Sequence, residues 1–236
     1  FFFKQKTAYE VAVTGVQTCA LPICQAQHRT RRAWFDDSGD SMPHLRHWFS
    51  ADDYIGKLPQ TKYSLADGAG QLRQFGRMGV FLLESQGKDI RVAIRRGFQG
   101  ILPFLGANQT VQVLIVSSVA GGTGAGMVID VANIVRQEAT QAGLEKLIAL
   151  RAFLFLPQTF QHIKAINTST MNARAYAAIR EINRFNTDFD SDFGYPIPYS
   201  AAQLHDPASK LKVKLFENVY YIDGMSPVNP FVGTLP

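Results

Sequence analysis

The stretch SVAGGTGAGMVID, residues 118–130, decides the fold. Four of the six residues 121–126 are glycine, and they separate the β-branched run VQVLIV (111–116) from the helix-like MVIDVANIVRQEATQ (127–141). A short apolar run bounded by turn residues reads as a strand buried on both faces of a parallel sheet. Beyond the glycines, Val128, Val131, Ala132 and Val135 fall on one helical face, and Gly143 supplies a stop. LIALRAFLFLP (147–157) is the next strand, which completes a strand, loop, helix, strand unit with a right-handed crossover.

Working outward, NARAYAAIREINRF (172–185) is a helix with Tyr176, Ile179, Ile182 and Phe185 along one side, and NVYYIDG (218–224) is a third strand. Upstream, DGAGQLRQFGRMGVFLLES (67–85) opens on a second glycine loop and continues as a helix through Leu72, Phe75, Gly79 and Leu82. Another helix runs through Ile90, Ile94, Phe98 and Ile101, with Arg91, Arg95 and Arg96 expected on its wet side. Strands alternating with helices predict an α/β fold with a Rossmann-like, doubly wound, mostly parallel sheet. Residues 24–66 are irregular, broken by Gly39, Pro43, Gly56 and Pro59, and 67–236 form the recognisable domain.

Residues 1–23, FFFKQKTAYEVAVTGVQTCALPI, have neither helical nor strand periodicity and match what sequencing adapters give when translated. We therefore expect an assembly scar and set the segment aside. A signal peptide would need a continuous apolar core that is missing here. Cys19 and Cys24 lie inside or at the seam of this segment, so they define neither a disulfide nor a metal half-site; the remaining chain is cysteine-free, as suits a reducing, cytoplasmic compartment. The segment carries two lysines and one glutamate, so the net charge of +5 falls to +4 without it. That mild balance lacks a dense basic stripe and argues against nucleic acid as a partner. No apolar run reaches the roughly 20 residues of a membrane span. The chain reads as a fragment.

A glycine loop between strand and helix lets backbone N–H groups approach a ligand without an intervening Cβ, while the following helix offers unpaired amides and partial positive charge. That combination favours an anion, above all phosphate. Thr123 adds a hydroxyl. Tight helix-to-strand packing is the alternative use of such glycines. A Walker loop needs a lysine, and neither lysine nor arginine occurs from Val111 to Val135; a dinucleotide fingerprint starting at Gly122 puts Met127 where its third glycine belongs. A side chain at position 124 is expected to clash with bound phosphates, so Gly124→Val would block binding.

AGGTGAG (120–126) resembles the G-G-G-T-G-[ST]-G signature of the tubulin/FtsZ superfamily, with Ala120 in place of the first glycine and Ala125 in place of the small hydroxyl residue. DGAGQLRQFGR (67–77) is similar to that family's loop for the terminal phosphate, and NARAYAAIREINRF followed by NVYYIDG to the elements that close on sugar and base, in the style of large prokaryotic tubulin-like proteins. The resemblance covers about 67–226. It implies an incomplete tubulin/FtsZ-type GTPase domain that binds GTP with Mg²⁺, with phosphate-binding residues Ala120, Gly121, Gly122, Thr123, Gly124, Ala125 and Gly126. Gly68, Ala69, Gly70 and Arg73 would meet the terminal phosphate, and Asn172 and Asp223 the sugar and base; Gly224 stands where relatives carry an asparagine that reads guanine. Mg²⁺ keeps several waters and bridges phosphates, so no protein metal motif is expected. The resemblance further implies self-assembly into filaments, with hydrolysis completed by an acidic loop of the next subunit that lies outside this chain. No catalytic base is assigned. A non-hydrolysing scaffold of the same fold is the alternative, and a variant P-loop ATPase is disfavoured by the missing lysine.

Remaining features have plainer readings. Arg73 and Arg77 face either phosphate or solvent. His44 and His47 are expected to be a surface pair. Trp34, Phe35, Trp48 and Phe49 pack rather than stack on a base. The Asp- and Pro-containing stretch 187–207 is long for a loop and is expected to be disordered or an interaction insert.

Overall fold

A computed structural model describes residues 2–4, 10–12, 44, 48–49, 69, 72–85, 90–106, 109–160, 168–187, 197–203, 205 and 213–223. Three parallel strands form the centre: β3 (Val111–Ser118), β4 (Ile148–Phe155) and β5 (Asn218–Ile222). β3 pairs β4 from Val111↔Ile148 to Ser118↔Phe155, and β4 pairs β5 from Arg151↔Asn218 to Phe155↔Ile222. Four helices flank them: α1 (Arg73–Ser85), α2 (Ile90–Ile101), α3 (Gly122–Gln141) and α4 (Thr168–Thr187). The fold is the mixed α/β layer structure expected from the sequence, a parallel sheet flanked by helices.

The segment that was set aside contributes to the sheet. Two three-residue strands, β1 (Phe2–Lys4) and β2 (Glu10–Ala12), pair antiparallel with each other, and β1 pairs antiparallel with β3 at Phe2↔Leu114 and Phe3↔Val113, giving the order β2-β1-β3-β4-β5. Three-residue strands are too short to display a period. Backbone pairing along the β3 edge is what makes them strands.

The β4 sequence alternates in burial along its length: Ile148, Leu150, Ala152 and Leu154 are buried, and the residues between them are half-buried. Val111, Val113 and Ile115 share that buried face through the register. The opposite face keeps Val116 and Tyr220 exposed, with Phe153 stacked on Tyr220 at 4.8 Å, so the strand is buried on one face and not on both as the apolar run 111–116 suggested.

α3 is the middle of the helical layer. Fifteen of its twenty residues are buried, among them Asp130, Asn133, Arg136 and Glu138. It ends at Gly143, whose φ of 72° lets the chain turn back, with the Leu144 amide donating to the Ala139 carbonyl at 2.8 Å. On α4 the buried face is Met171, Ala175, Ala178 and Ile182, a 4, 3, 4 spacing. Tyr176, placed on the inner side by the sequence pattern, is 62% exposed and carries Arg180 over its ring. On α2, Arg91 and Arg95 do not simply face water. Both reach back to Glu138 of α3, and Arg91 also pairs with Glu84 of α1.

His44 is buried and stacked on Phe81 at 5.9 Å, which corrects the expectation of a surface pair; His47 lies outside the described residues, as do Trp34, Phe35, Cys19 and Cys24. Trp48 and Phe49 pack on Phe81 and Phe75. Within 187–207, the described Ile197 and Tyr199 are core residues, which departs from the expectation of disorder at those positions. Among the described residues no helix is long and apolar enough to cross a membrane.

Candidate functional site

Parallel pairing sets the carboxyl ends of β3, β4 and β5 side by side, and the glycine loop leaves β3 at that end. The Val119 amide donates to the Phe155 carbonyl at 3.1 Å, and the Leu156 amide to the Ile222 carbonyl at 2.9 Å, so all three strand ends are laced together. α3 starts there. Its N-cap is Gly121, extended at φ −95° and ψ 176°, and no side chain caps the helix. The amides of Gly121 and of the first turn from Gly122 to Gly124 therefore have no partner within the helix. A Cβ built on Gly121 meets no atom of the described residues within 4 Å. That open approach, at the positive end of a twenty-residue helix, is the geometry an anion needs.

The glycines of the loop divide by what they do. None of those described here uses positive φ, since Gly143 is the only described glycine with it. At Gly124 a Cβ would sit 2.5 Å from Ser117 Oγ and 2.8 Å from the Ser118 carbonyl oxygen; at Gly126 it would sit 2.1 Å from the Arg73 carbonyl oxygen and 2.8 Å from the Arg77 amide nitrogen. The expected clash of a side chain at 124 with phosphate is thus replaced by a clash with β3 itself. Gly124 admits the helix to the strand, and Gly126 admits α1 to α3. Gly76 of α1 is the reciprocal case, its Cβ falling 2.3 Å from the Gly122 carbonyl oxygen.

Of the remaining loop residues, Ala120 is buried and its amide donates to Ser118 Oγ at 3.0 Å, so that N–H is already satisfied. Ala125 is buried, Gly122 is buried, and Thr123 is exposed. The second glycine loop meets the first: the buried Ala69 amide donates to Thr123 Oγ1 at 3.3 Å. Gly68 and Gly70 lie outside the described residues. Asn172, in the first turns of α4, and Asp223, immediately after β5, are both exposed. The residues after Asp223 are outside the described set.

Arg73 and Arg77, expected to face either phosphate or solvent, both engage protein groups. Arg73 Nε donates to the Ala125 carbonyl at 3.4 Å while its two terminal nitrogens grip Glu181 of α4. Arg77 lies over the Trp48 ring at 4.7 Å and pairs with Asp130 at 3.0 Å. Asp130 is fully buried; desolvation raises its pKa above the usual value, against the opposing pull of Arg77 and of Tyr199. Tyr199 Oη donates to the Asp130 backbone carbonyl or carboxylate (3.2 and 3.3 Å) and accepts from Asn133 at 3.3 Å; burial and Asp130 push its own pKa well above the phenol range. A cavity of about 230 Å³ lies over this array, floored by Gly126 and Ile129. Sequence reading missed Asp130, Tyr199 and Glu181, because each pairs with a residue more than 50 positions away and no local period marks such partners.

At the far end of α3, Arg136 donates to the Leu215 carbonyl at 3.1 Å and to the Glu217 carboxylate at 2.6 Å. Glu217 in turn accepts from the Leu150 amide, and its own amide donates to the Leu150 carbonyl at 2.9 Å. This array fixes where β5 begins. Among the described residues no group of three or more His, Cys, Asp or Glu side chains is placed to hold a metal ion.

No curated protein and no solved structure matches the chain. One family model does, described as "Tubulin like", over residues 8–223, which takes in the glycine loop, its flanking strands and helices, and β5. The chain belongs to the tubulin-like family.

Proposed function

We propose that this chain is the nucleotide-binding part of a self-assembling, cytoplasmic GTP-binding protein. The reading rests foremost on Gly121: no described residue stands over it, and behind it lie the unpaired amides of the α3 first turn at the carboxyl end of the sheet. The amides of residues 121–124 then hold the inner phosphates, with Thr123 exposed to donate its hydroxyl proton. Ala120, Gly124 and Gly126 contribute by shape, holding the loop on β3 and α1. Ala69 and Arg73, together with Gly68 and Gly70 outside the described residues, are assigned to the terminal phosphate by the resemblance, and Asn172 and Asp223 to the sugar and base. Mg²⁺ would accompany the bound phosphates and neutralise their charge, with no protein ligand assigned to it. Family membership supports guanine over adenine and a subunit contact as the place where hydrolysis is completed.

Calorimetry of the full-length protein with GTP, GDP and ATP, paired with pelleting and phosphate release, tests the proposal. Expected are preferential GTP binding, GTP-dependent pelleting and phosphate release that follows pelleting. Equal binding of ATP removes the guanine assignment, and phosphate release without pelleting removes the role of the subunit contact. Pelleting with no release at all favours the scaffold reading.

A further inference from the structure

The last residue of β3 turns the chain into the glycine loop. Ser118 lies opposite Phe155 in the register, and its Oγ donates to the Phe155 carbonyl at 3.4 Å while accepting from the Ala120 amide at 3.0 Å. A serine hydroxyl has one proton and two acceptor lone pairs, so both bonds form together. A side-chain oxygen that accepts from the amide two residues on closes a turn of its own, and this one bends the chain between β3 and Gly121. The Ala120 amide belongs to a buried residue and needs that partner. The same Phe155 carbonyl accepts from the Val119 amide at 3.1 Å, so the loop leaves the strand fastened to β4 by one backbone and one side-chain bond. Gly124 completes the seat by leaving room for Ser117 Oγ and the Ser118 carbonyl oxygen, 2.5 and 2.8 Å from where a Cβ would stand.

We propose that Ser118 is a positioning residue for the anion cradle: its hydroxyl keeps the Ala120 amide bound within the protein and so aims the free amides of residues 121–124 at the inner phosphates of the nucleotide. The inference rests on the proposed nucleotide site and adds to it a residue that acts through the loop backbone. Hydrogen bonds to phosphate are directional, and four amides on one short arc converge only while that arc is held at its base. Without the hydroxyl, the Ala120 amide is left buried without a partner, and the base of the arc turns to find one. The loss then falls on the inner phosphates, which a diphosphate and a triphosphate share. Threonine keeps the hydroxyl, whereas valine has the shape of threonine without it.

The test measures GTP and GDP binding by calorimetry, with Mg²⁺, for the full-length wild type, Ser118→Ala, Ser118→Val and Ser118→Thr, at a temperature well below the melting point of each. Both dissociation constants are expected to rise about tenfold in Ser118→Ala and Ser118→Val, the scale of one lost hydrogen bond, with the GDP-to-GTP ratio held within about twofold. Ser118→Thr should stay within about threefold of wild type for both nucleotides. Ser118→Ala reports the same loss should the valine variant fail to fold. A lower melting temperature with unchanged affinity would assign the hydroxyl to stability alone and overturn the proposal. So would tighter binding, with the released Ala120 amide joining the cradle, equal losses in Ser118→Thr and Ser118→Val, or a loss confined to GTP. A wild type that binds neither nucleotide removes the nucleotide site itself, and the proposal with it.

Discussion

Replacing Gly121, Gly124 and Gly126 one at a time by alanine separates ligand access from packing. At 126 the new Cβ would stand 2.1 Å from the Arg73 carbonyl oxygen, about 1.3 Å short of ordinary contact, and the obstacle is helix backbone that cannot rotate aside. α1 must lift, at about 3 kcal/mol for overpacking of this kind, offset by about 1 kcal/mol of helix propensity gained over glycine. The net loss is about 2 kcal/mol, which at the scale of this chain lowers Tm by roughly 4–8 °C. At 124 the nearest atom is the movable Ser117 Oγ at 2.5 Å, with the Ser118 carbonyl next at 2.8 Å. The expected loss there is about 1 kcal/mol. At 121 no atom of the described residues is met, and φ −95° suits any residue. The unfolded chain loses about 0.4–1 kcal/mol of entropy advantage, and a poorer N-cap gives back a similar amount. Tm should then stay within roughly 2 °C of wild type. Thermal melts without nucleotide read the order directly: wild type and Gly121→Ala together, then Gly124→Ala, then Gly126→Ala. A Gly121→Ala melt as low as that of Gly126→Ala would refute the division of labour among these glycines.

Further outcomes follow from the same geometry. Gly121→Val should keep the wild-type melt yet weaken GTP binding in calorimetry by tenfold or more, because its side chain stands over the free amides. Asp130→Ala leaves the Arg77 guanidinium partnerless beneath Trp48 and should cost about 3–5 kcal/mol in urea unfolding; Tyr199→Phe, which strips a partner from Asn133 and Asp130, should cost about 1–3 kcal/mol. Burial raises the pKa of Glu84 despite Arg91, so the folded state holds that proton more tightly than the unfolded chain. Its contribution is full below the ordinary glutamate range and is lost as pH rises through the raised value. The stability of wild type relative to Glu84→Gln should therefore decline from about pH 4.5 upward. A difference that grows with pH would contradict this sign.

The positions of elements are legible where apolar residues recur or cluster, although the apolar run of β3 suggests burial on both faces and the strand is buried on one. α2 was read as Ile90 to Ile101 from a 4, 4, 3 spacing and spans those residues, and the three parallel strands fall within two residues of the apolar runs. α3 was harder. A helix enclosed by the sheet, α1, α2 and α4 has no wet side, so picking one face from Val128, Val131, Ala132 and Val135 hid the fact that Asp130 and Glu138 are equally buried. Polar residues in such a helix are intelligible only once their partners arrive from α1, α2 and residue 199. The glycines show the same limit. Their spacing pointed to an anion cradle, but whether a missing Cβ faces a ligand, a strand or another helix depends on neighbours brought together by folding. On α4, Tyr176 and Met171 are both large and both fit an amphipathic pattern, and the phase between them was settled by Ala175 and Ala178, whose small size allows α4 to approach the core.

Because Arg136 fastens the start of β5 near the far end of α3, the chain measures a distance out along one element and back along another. From the start of α3 to Arg136 is about 21 Å of helix, and five residues of strand return about 17 Å to bring Asp223 to the same end of the sheet. Helix pitch and strand length are thereby calibrated against each other. A single residue inserted into β5 would overshoot by about 3.3 Å and swap Asp223 to the opposite side of the ribbon, while leaving the glycine cradle untouched.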